Sequence, residues 1–152
     1  MKICIGGTFN VLHRGHKKLL EEAFKKAGNE GFVFIGLTKQ KIQDSNKKTR
    51  KYEEREKDLI KFLEEHNWLS KSKILPITDK YGLAVDEDYD AIVVSPETYR
   101  VAKEINEKRI QNGRKPLRIF RVPFVLAEDG KPISSSRIKN REINENGKIL
   151  KD

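Results

Sequence analysis

The chain has 152 residues, a single cysteine and a formal net charge of +9, and 36% of its residues are charged. A chain of this length holds one compact domain with its own core. One thiol excludes an internal disulfide and CxxC metal spacings, and no apolar run approaches the roughly 20 residues of a membrane-spanning helix.

The amino end, Met1 to Gly7, carries one lysine and a short apolar stretch broken by Gly6 and Gly7, unlike a secretory leader, so a cytoplasmic, reducing location is expected. The positive charge suits an anionic partner such as a nucleotide or nucleic acid. It is also interleaved with Glu, as in Glu53 to Lys57 and Lys103 to Arg109, the pattern of solvated helix faces and of ion-pair networks in heat-stable proteins.

Five apolar runs predict strands at Lys2 to Ile5, Phe32 to Leu37, Lys73 to Ile77, Ala91 to Val94 and Arg118 to Val122. Longer amphipathic stretches separate them, which predicts an α/β fold: a five-stranded parallel sheet with helices on both faces in a single domain spanning 1–152. Leu19, Leu20, Ala23, Phe24 and Ala27 recur at helical spacing after the first strand, and Gly28 marks a stop. Lys39 to Lys51 lacks apolar periodicity and is expected to form a mobile surface loop. A second helix begins near Tyr52, with Glu53 and Glu54 favourably placed in its first turn, and runs towards Trp68. The third follows Ser95 and Pro96 and stops around Asn112 and Gly113. An Asp-Gly turn within Glu128 to Lys131 precedes Ser134 to Ser136, which cap a short helix through Arg141. The tail after Glu142 is expected to fray, and no repeat or linker marks a second domain.

Chemistry concentrates in Gly6 to His16, GGTFNVLHRGH, between the first strand and its helix. In an open parallel sheet, ligands collect beyond the carboxyl ends of the strands. Gly6 and Gly7 let backbone approach a phosphate, and the following helix start offers free amides and a favourable dipole end. His13 and His16, three residues apart, fall on one side of the first turn and add donors. Each part alone has an ordinary reading: a Gly-Gly pair as a tight turn, a histidine as a cap or surface residue. Zinc is disfavoured, because no third His, Cys or carboxylate sits at supporting spacing.

The combination resembles the nucleotidyltransferase superfamily, whose GTFD-like turn and HxGH signature read here as GGTFN and HRGH; its second signature is matched by ISSSRIK at Ile133 to Lys139. Along nearly the whole chain the sequence is most similar to the archaeal-type phosphopantetheine adenylyltransferases, through IGLT at Ile35 to Thr38, YEER at Tyr52 to Arg55 and VVSPETY at Val93 to Tyr99. Two positions depart: Asn10 stands where many relatives carry Asp, and Lys139 where Arg is frequent, exchanging a forked phosphate contact for a point charge.

The resemblance implies a Rossmann-like nucleotidyltransferase domain that moves AMP from ATP to 4'-phosphopantetheine and releases pyrophosphate. It implies His16 as donor to the α-phosphate in the transition state and His13 as a holder of the nucleotide phosphates, with Gly7, Thr8 and the amide of Phe9 contributing. A lysine after the second strand, Lys39 or Lys41, bridges donor and acceptor phosphates. Ser134, Ser135 and Ser136 suit the β- and γ-phosphates, with Arg137 or Lys139 as counter-charge, and Ser95 to Thr98 with Val122 to Phe124 lie near adenine. Mg2+ is expected, bound mainly through substrate phosphates and without a dedicated protein metal site.

The same signatures serve other acceptors: glycerol or choline phosphate with CTP, and FMN or nicotinamide mononucleotide with ATP. A basic RNA- or DNA-binding module is the alternative of a different class. It lacks aromatic residues interleaved with basic ones on a strand and any DNA-reading helix, so no nucleic-acid partner is expected.

Overall fold

The computed structural model describes residues 1–39 and 49–150. Its strands are β1 (Lys2–Gly7), β2 (Phe32–Thr38), β3 (Ser72–Ile77), β4 (Ala91–Val94) and β5 (Arg118–Arg121), all parallel in one sheet ordered β3-β2-β1-β4-β5. The chain builds outward from β1 to β3 on one side, then crosses to β4 and β5 on the other. Strand order therefore reverses between β1 and β4, where a crevice opens at the carboxyl ends.

Alternation along the strands serves two cores. Ile3, Ile5, Val33, Ile35, Leu37 and Val93 meet α1 (Arg14–Ala27) and α2 (Tyr52–Glu65) on one face through Leu20, Phe24, Leu59, Phe62 and Leu63. Cys4, Ile92 and Val94 meet α3 (Tyr99–Gln111) on the other through Ala102 and Ile105. Helices thus cover both faces, as the alternation of apolar runs predicts. Among the described residues no helix is long and apolar enough to cross a membrane.

The second helix stops at Glu65, short of the expected Trp68. Asn67 adopts a left-handed φ of 58°, and Trp68 turns back to stack on Phe24 at 4.4 Å. A single 3-10 turn, Leu69–Lys71, then leads into β3. The last helix, α4 (Ser135–Lys139), is capped by the Ser134 hydroxyl but ends before Arg141, whose φ of 60° breaks it. Most of the expected loop, 40–48, lies outside the described residues.

Over residues 143–150 the tail, expected to fray, is packed against the rest of the chain. Ile143 is fully buried against Ala127 and Ile133 and bridges Ile149, while the Glu128 amide donates to Gly147 O at 2.8 Å. At Gly147 a Cβ would come within 2.9 Å of Ala127 Cα, so the tail lies directly on that backbone. Its Glu145 carbonyl accepts from the Arg14 amide at 3.1 Å, satisfying a donor in the first turn of α1.

Candidate active site

Where β1 ends, the chain turns through residues 8–12 into α1. Phe9 takes a left-handed φ of 45° with its ring buried edge-on to His16, 5.0 Å between centroids. The conformation is unfavourable for a bulky residue; here packing of the ring holds it.

His13 is the N-cap of α1. Its Nδ1 accepts from the amides of Gly15 at 3.0 Å and His16 at 3.3 Å, and His16 Nδ1 in turn accepts from the His13 amide at 3.4 Å. This is a capping box made by two imidazoles, whose rings stack at 3.8 Å. Gly15 makes it possible: a Cβ there would lie 2.8 Å from His13 Cε1. With Nδ1 accepting in both rings, the hydrogen-bond pattern assigns both neutral imidazoles as Nε2–H tautomers.

Burial pushes the His13 imidazole down to about 4. His16 falls to about 3 through burial and then the neighbouring His13, opposed by a hydrogen bond with the Val11 backbone. Both are therefore neutral near pH 7, and they offer dipolar N–H groups rather than cations.

The serine segment meets this loop. Val11 N lies 3.4 Å from Ser135 Oγ, and Ser134 Oγ accepts from the Arg137 amide at 3.2 Å, which leaves its own O–H to donate. Between the two segments is a cleft of about 570 Å3. Of the residues expected from sequence, it brings together Gly7, Thr8, Phe9, His13, His16, Ser95, Thr98, Ser134, Ser135, Ser136 and Lys139, and Phe124 also lines it. Ser95 and Thr98 close the turn into α3, the Ser95 amide donating to Thr98 Oγ1 at 3.1 Å.

Not all of the expected residues line the described cleft. Lys39 is exposed, its Nζ 5.5 Å from the Tyr52 ring. Arg137 is held by the carboxylates of Asp129 and Glu142 and by Pro132 O, so between the two candidate counter-charges only Lys139 lines the cleft. Lys41 lies outside the described residues. Val122 is buried in the core instead of facing the cleft.

Sequence reasoning missed the support beneath the loop. Arg55, 3% exposed, donates through Nη1 to Thr8 O at 3.0 Å and Thr38 O at 2.9 Å, and through Nε to Arg50 O at 2.8 Å. It thereby ties the first loop to the end of β2. Asn10 holds Arg50, just before α2, its Oδ1 accepting from the Arg50 amide at 2.8 Å and its carbonyl from Arg50 Nη1 at 3.1 Å.

A second cavity, of about 260 Å3, lies on the α3 side of the sheet and is lined mainly by apolar groups including Phe34, Ile77, Tyr81, Leu83 and Tyr89. The two cavities share Ile5, Gly6, Gly7, Val93, Val94 and Thr98. Thr38 faces the apolar cavity and Thr8 the cleft, and their hydroxyls are 3.3 Å apart. Among the described residues no group of three or more His, Cys, Asp or Glu is arranged to hold a metal.

The family model for cytidylyltransferase-like proteins matches residues 4–141. A phosphopantetheine adenylyltransferase of Methanosarcina acetivorans is 45% identical over 152 residues, covering 99% of this chain and 97% of that protein. A bifunctional phosphopantetheine adenylyltransferase/NTP phosphatase of Thermoplasma volcanium is 50% identical over 150 residues, 97% of this chain but 44% of that protein. In structure, a protein of unknown function from Archaeoglobus fulgidus superposes with a TM-score of 0.73 at 34% identity, covering 80% of this chain and 89% of the other. Matched along nearly its whole length, the chain belongs to the cytidylyltransferase-like nucleotidyltransferase family and, within it, to the archaeal phosphopantetheine adenylyltransferases.

Proposed function

We propose that the protein transfers the adenylyl group of ATP to 4'-phosphopantetheine, yielding dephospho-coenzyme A and pyrophosphate. The observation that carries this reading is the junction of a polar cleft with an apolar cavity at Ile5, Gly6, Gly7, Val93, Val94 and Thr98. Such a pair suits a triphosphate on one side and, on the other, an acceptor with a phosphate at the junction and an extended, weakly polar arm behind it. The names of the relatives point to the same acceptor.

An oxygen of the acceptor phosphate attacks the α-phosphorus, the bond from that phosphorus to the bridging α,β-oxygen breaks, and pyrophosphate leaves from the opposite side. No protein nucleophile is required, so catalysis rests on alignment and on stabilising charge over the transferring group. His16 Nε2–H is assigned to a non-bridging α-oxygen and His13 to an adjacent phosphate oxygen. The hydroxyls of Ser134 to Ser136 and Lys139 take the β- and γ-phosphates.

Among the described residues the cleft is lined by one carboxylate, Glu97, beside Ser and Thr hydroxyls. This hard, sparse donor set fits Mg2+ held largely by phosphate oxygens and water, and the ion when bound neutralises charge on the triphosphate. A cytosolic setting fits substrates of this kind and the single buried thiol, Cys4.

The test is pyrophosphate release with ATP or CTP against 4'-phosphopantetheine, glycerol phosphate, choline phosphate, FMN and nicotinamide mononucleotide. ATP with 4'-phosphopantetheine should exceed every other pair in kcat/KM. Preference for another pair would replace the acceptor assignment, and salt-sensitive RNA binding without turnover would replace the enzymatic one.

A further inference from the structure

Residues 79–87, between β3 and β4, form the outer wall of the apolar cavity, which Asp79, Lys80, Tyr81, Gly82, Leu83 and Ala84 all line. The wall pairs with no strand. Its backbone closes on itself in short turns: Gly82 N to Asp79 O at 3.2 Å, Ala84 N to Tyr81 O at 3.1 Å and Glu87 N to Leu83 O at 3.1 Å. Such a segment needs external ties to keep a fixed distance from the sheet.

Two ties come from α3. Arg109, 3% exposed, donates through Nη1 to Ala84 O at 2.8 Å and to Glu87 O at 2.7 Å, while its Nε reaches Lys115 O at 2.8 Å. One turn earlier, Glu104 Oε1 accepts from Tyr81 OH at 2.9 Å and pairs with Lys80 Nζ at 3.0 Å. On the opposite side the wall presses on β3: a Cβ at Gly82, whose φ is +57°, would sit 3.1 Å from Ile77 Cγ2.

Burying a guanidinium is costly, and an apolar side chain would fill the same space at lower cost. The guanidinium does what no apolar residue can: its Nη1 grips two carbonyls of the turn while Nε, fixed in the same plane, holds Lys115 O, binding the turn to a helix. We propose that Arg109, seconded by the Tyr81–Glu104 hydrogen bond, is a positioning residue that fixes the width of the apolar cavity and so sets affinity for the acceptor's arm. This rests on the reading of that cavity as the acceptor site.

The test compares steady-state pyrophosphate release by the wild type, Arg109→Lys and Tyr81→Phe, varying ATP and 4'-phosphopantetheine separately and checking each fold by thermal unfolding. Arg109→Lys keeps the charge but loses the fork, and the acceptor KM should rise about tenfold while ATP KM stays within about twofold and kcat within about threefold. Tyr81→Phe, which removes only a hydroxyl at the surface, should raise acceptor KM about threefold. An unchanged acceptor KM in both, a joint rise for both substrates, or a loss confined to kcat would overturn the proposal. If Arg109→Lys fails to fold, Tyr81→Phe and Glu104→Gln decide by the same criteria. A wild type inactive towards 4'-phosphopantetheine would sink the acceptor reading itself; an active wild type with indifferent variants sinks the bracing alone.

Discussion

Substituting Gly15 by alanine separates the stability of α1 from the chemistry of its first turn. The added Cβ would meet His13 Cε1 at 2.8 Å and Nδ1 at 3.0 Å, and the imidazole must swing away. It then abandons the amides of Gly15 and His16 and leaves its 3.8 Å stack with His16. Loss of an N-cap costs about 1 kcal/mol, yet replacing glycine by alanine inside a helix returns roughly 1 kcal/mol. The two nearly cancel, so the unfolding midpoint of Gly15→Ala should stay within about 5 °C of wild type. Turnover should not survive in proportion. With both Nε2–H donors misdirected, kcat should fall about 100-fold or more, by analogy with removal of an oxyanion donor. Pyrophosphate release at saturating ATP and acceptor, run beside thermal unfolding, reads both quantities. A folded variant with near wild-type kcat would refute the claim that the imidazole capping box aligns the reacting phosphate.

His16→Ala should lower kcat about 100-fold while changing ATP affinity far less, because its hydrogen bond strengthens as charge develops; equal losses in kcat and ATP binding would contradict that role. The depressed histidines also set a pH window. Below their ordinary value of 6.5 the unfolded chain takes up protons that the folded chain refuses, so their stabilising contribution is complete above 6.5 and is lost as pH falls towards about 4 for His13 and about 3 for His16. The slope is about 1.4 kcal/mol per pH unit for each, and unfolding midpoints measured from pH 7.5 to 4.5 should flatten in His13→Gln. Ile143→Ala should cost about 2–5 kcal/mol in denaturant unfolding, as expected for a fully buried side chain, whereas a frayed tail would make it silent. Raising ionic strength from about 0.05 to 0.5 M should reduce kcat/KM for ATP and leave kcat nearly constant, because the +9 surplus acts on encounter; a salt-sensitive kcat would place fixed cations at the reacting phosphorus.

Much of the architecture is legible in the chain because its signals are local. Ala91 to Val94 reads as a strand buried on both faces, and all four residues are buried. The HRGH spacing likewise dictates which side chains share a helical turn. What stays hidden depends on partners distant in sequence. Arg55 stands four residues before Leu59 and so on the apolar face of α2, the one available hint that its charge is buried; the carbonyls it holds, Thr8 and Thr38, belong to other elements. Spacing alone cannot decide which of Arg137 and Lys139 meets a ligand, since Arg137 is claimed by Asp129 across a turn. The tail misleads in the opposite direction. Asn144, Asn146 and Gly147 have the composition of loose chain, while the burial of Ile143 is decided by Ala127 and Ile133.

The charge of the protein and the charge of its cleft also part company. Lys139 and Glu97 are the charged side chains among the described residues lining the cleft, and they cancel once both histidines are neutral. Among the described residues the cleft therefore presents mostly dipoles: imidazole N–H groups, hydroxyls and backbone amides fixed by capping and by Arg55 from below. Fixed dipoles need little rearrangement as charge moves from the attacking oxygen to the departing pyrophosphate. A dense cluster of cations would grip the ground-state triphosphate and its product alike, and uniform binding of that kind lowers KM without raising kcat. Burial serves the same end, since the desolvation that keeps His13 and His16 uncharged also strengthens each hydrogen bond they donate.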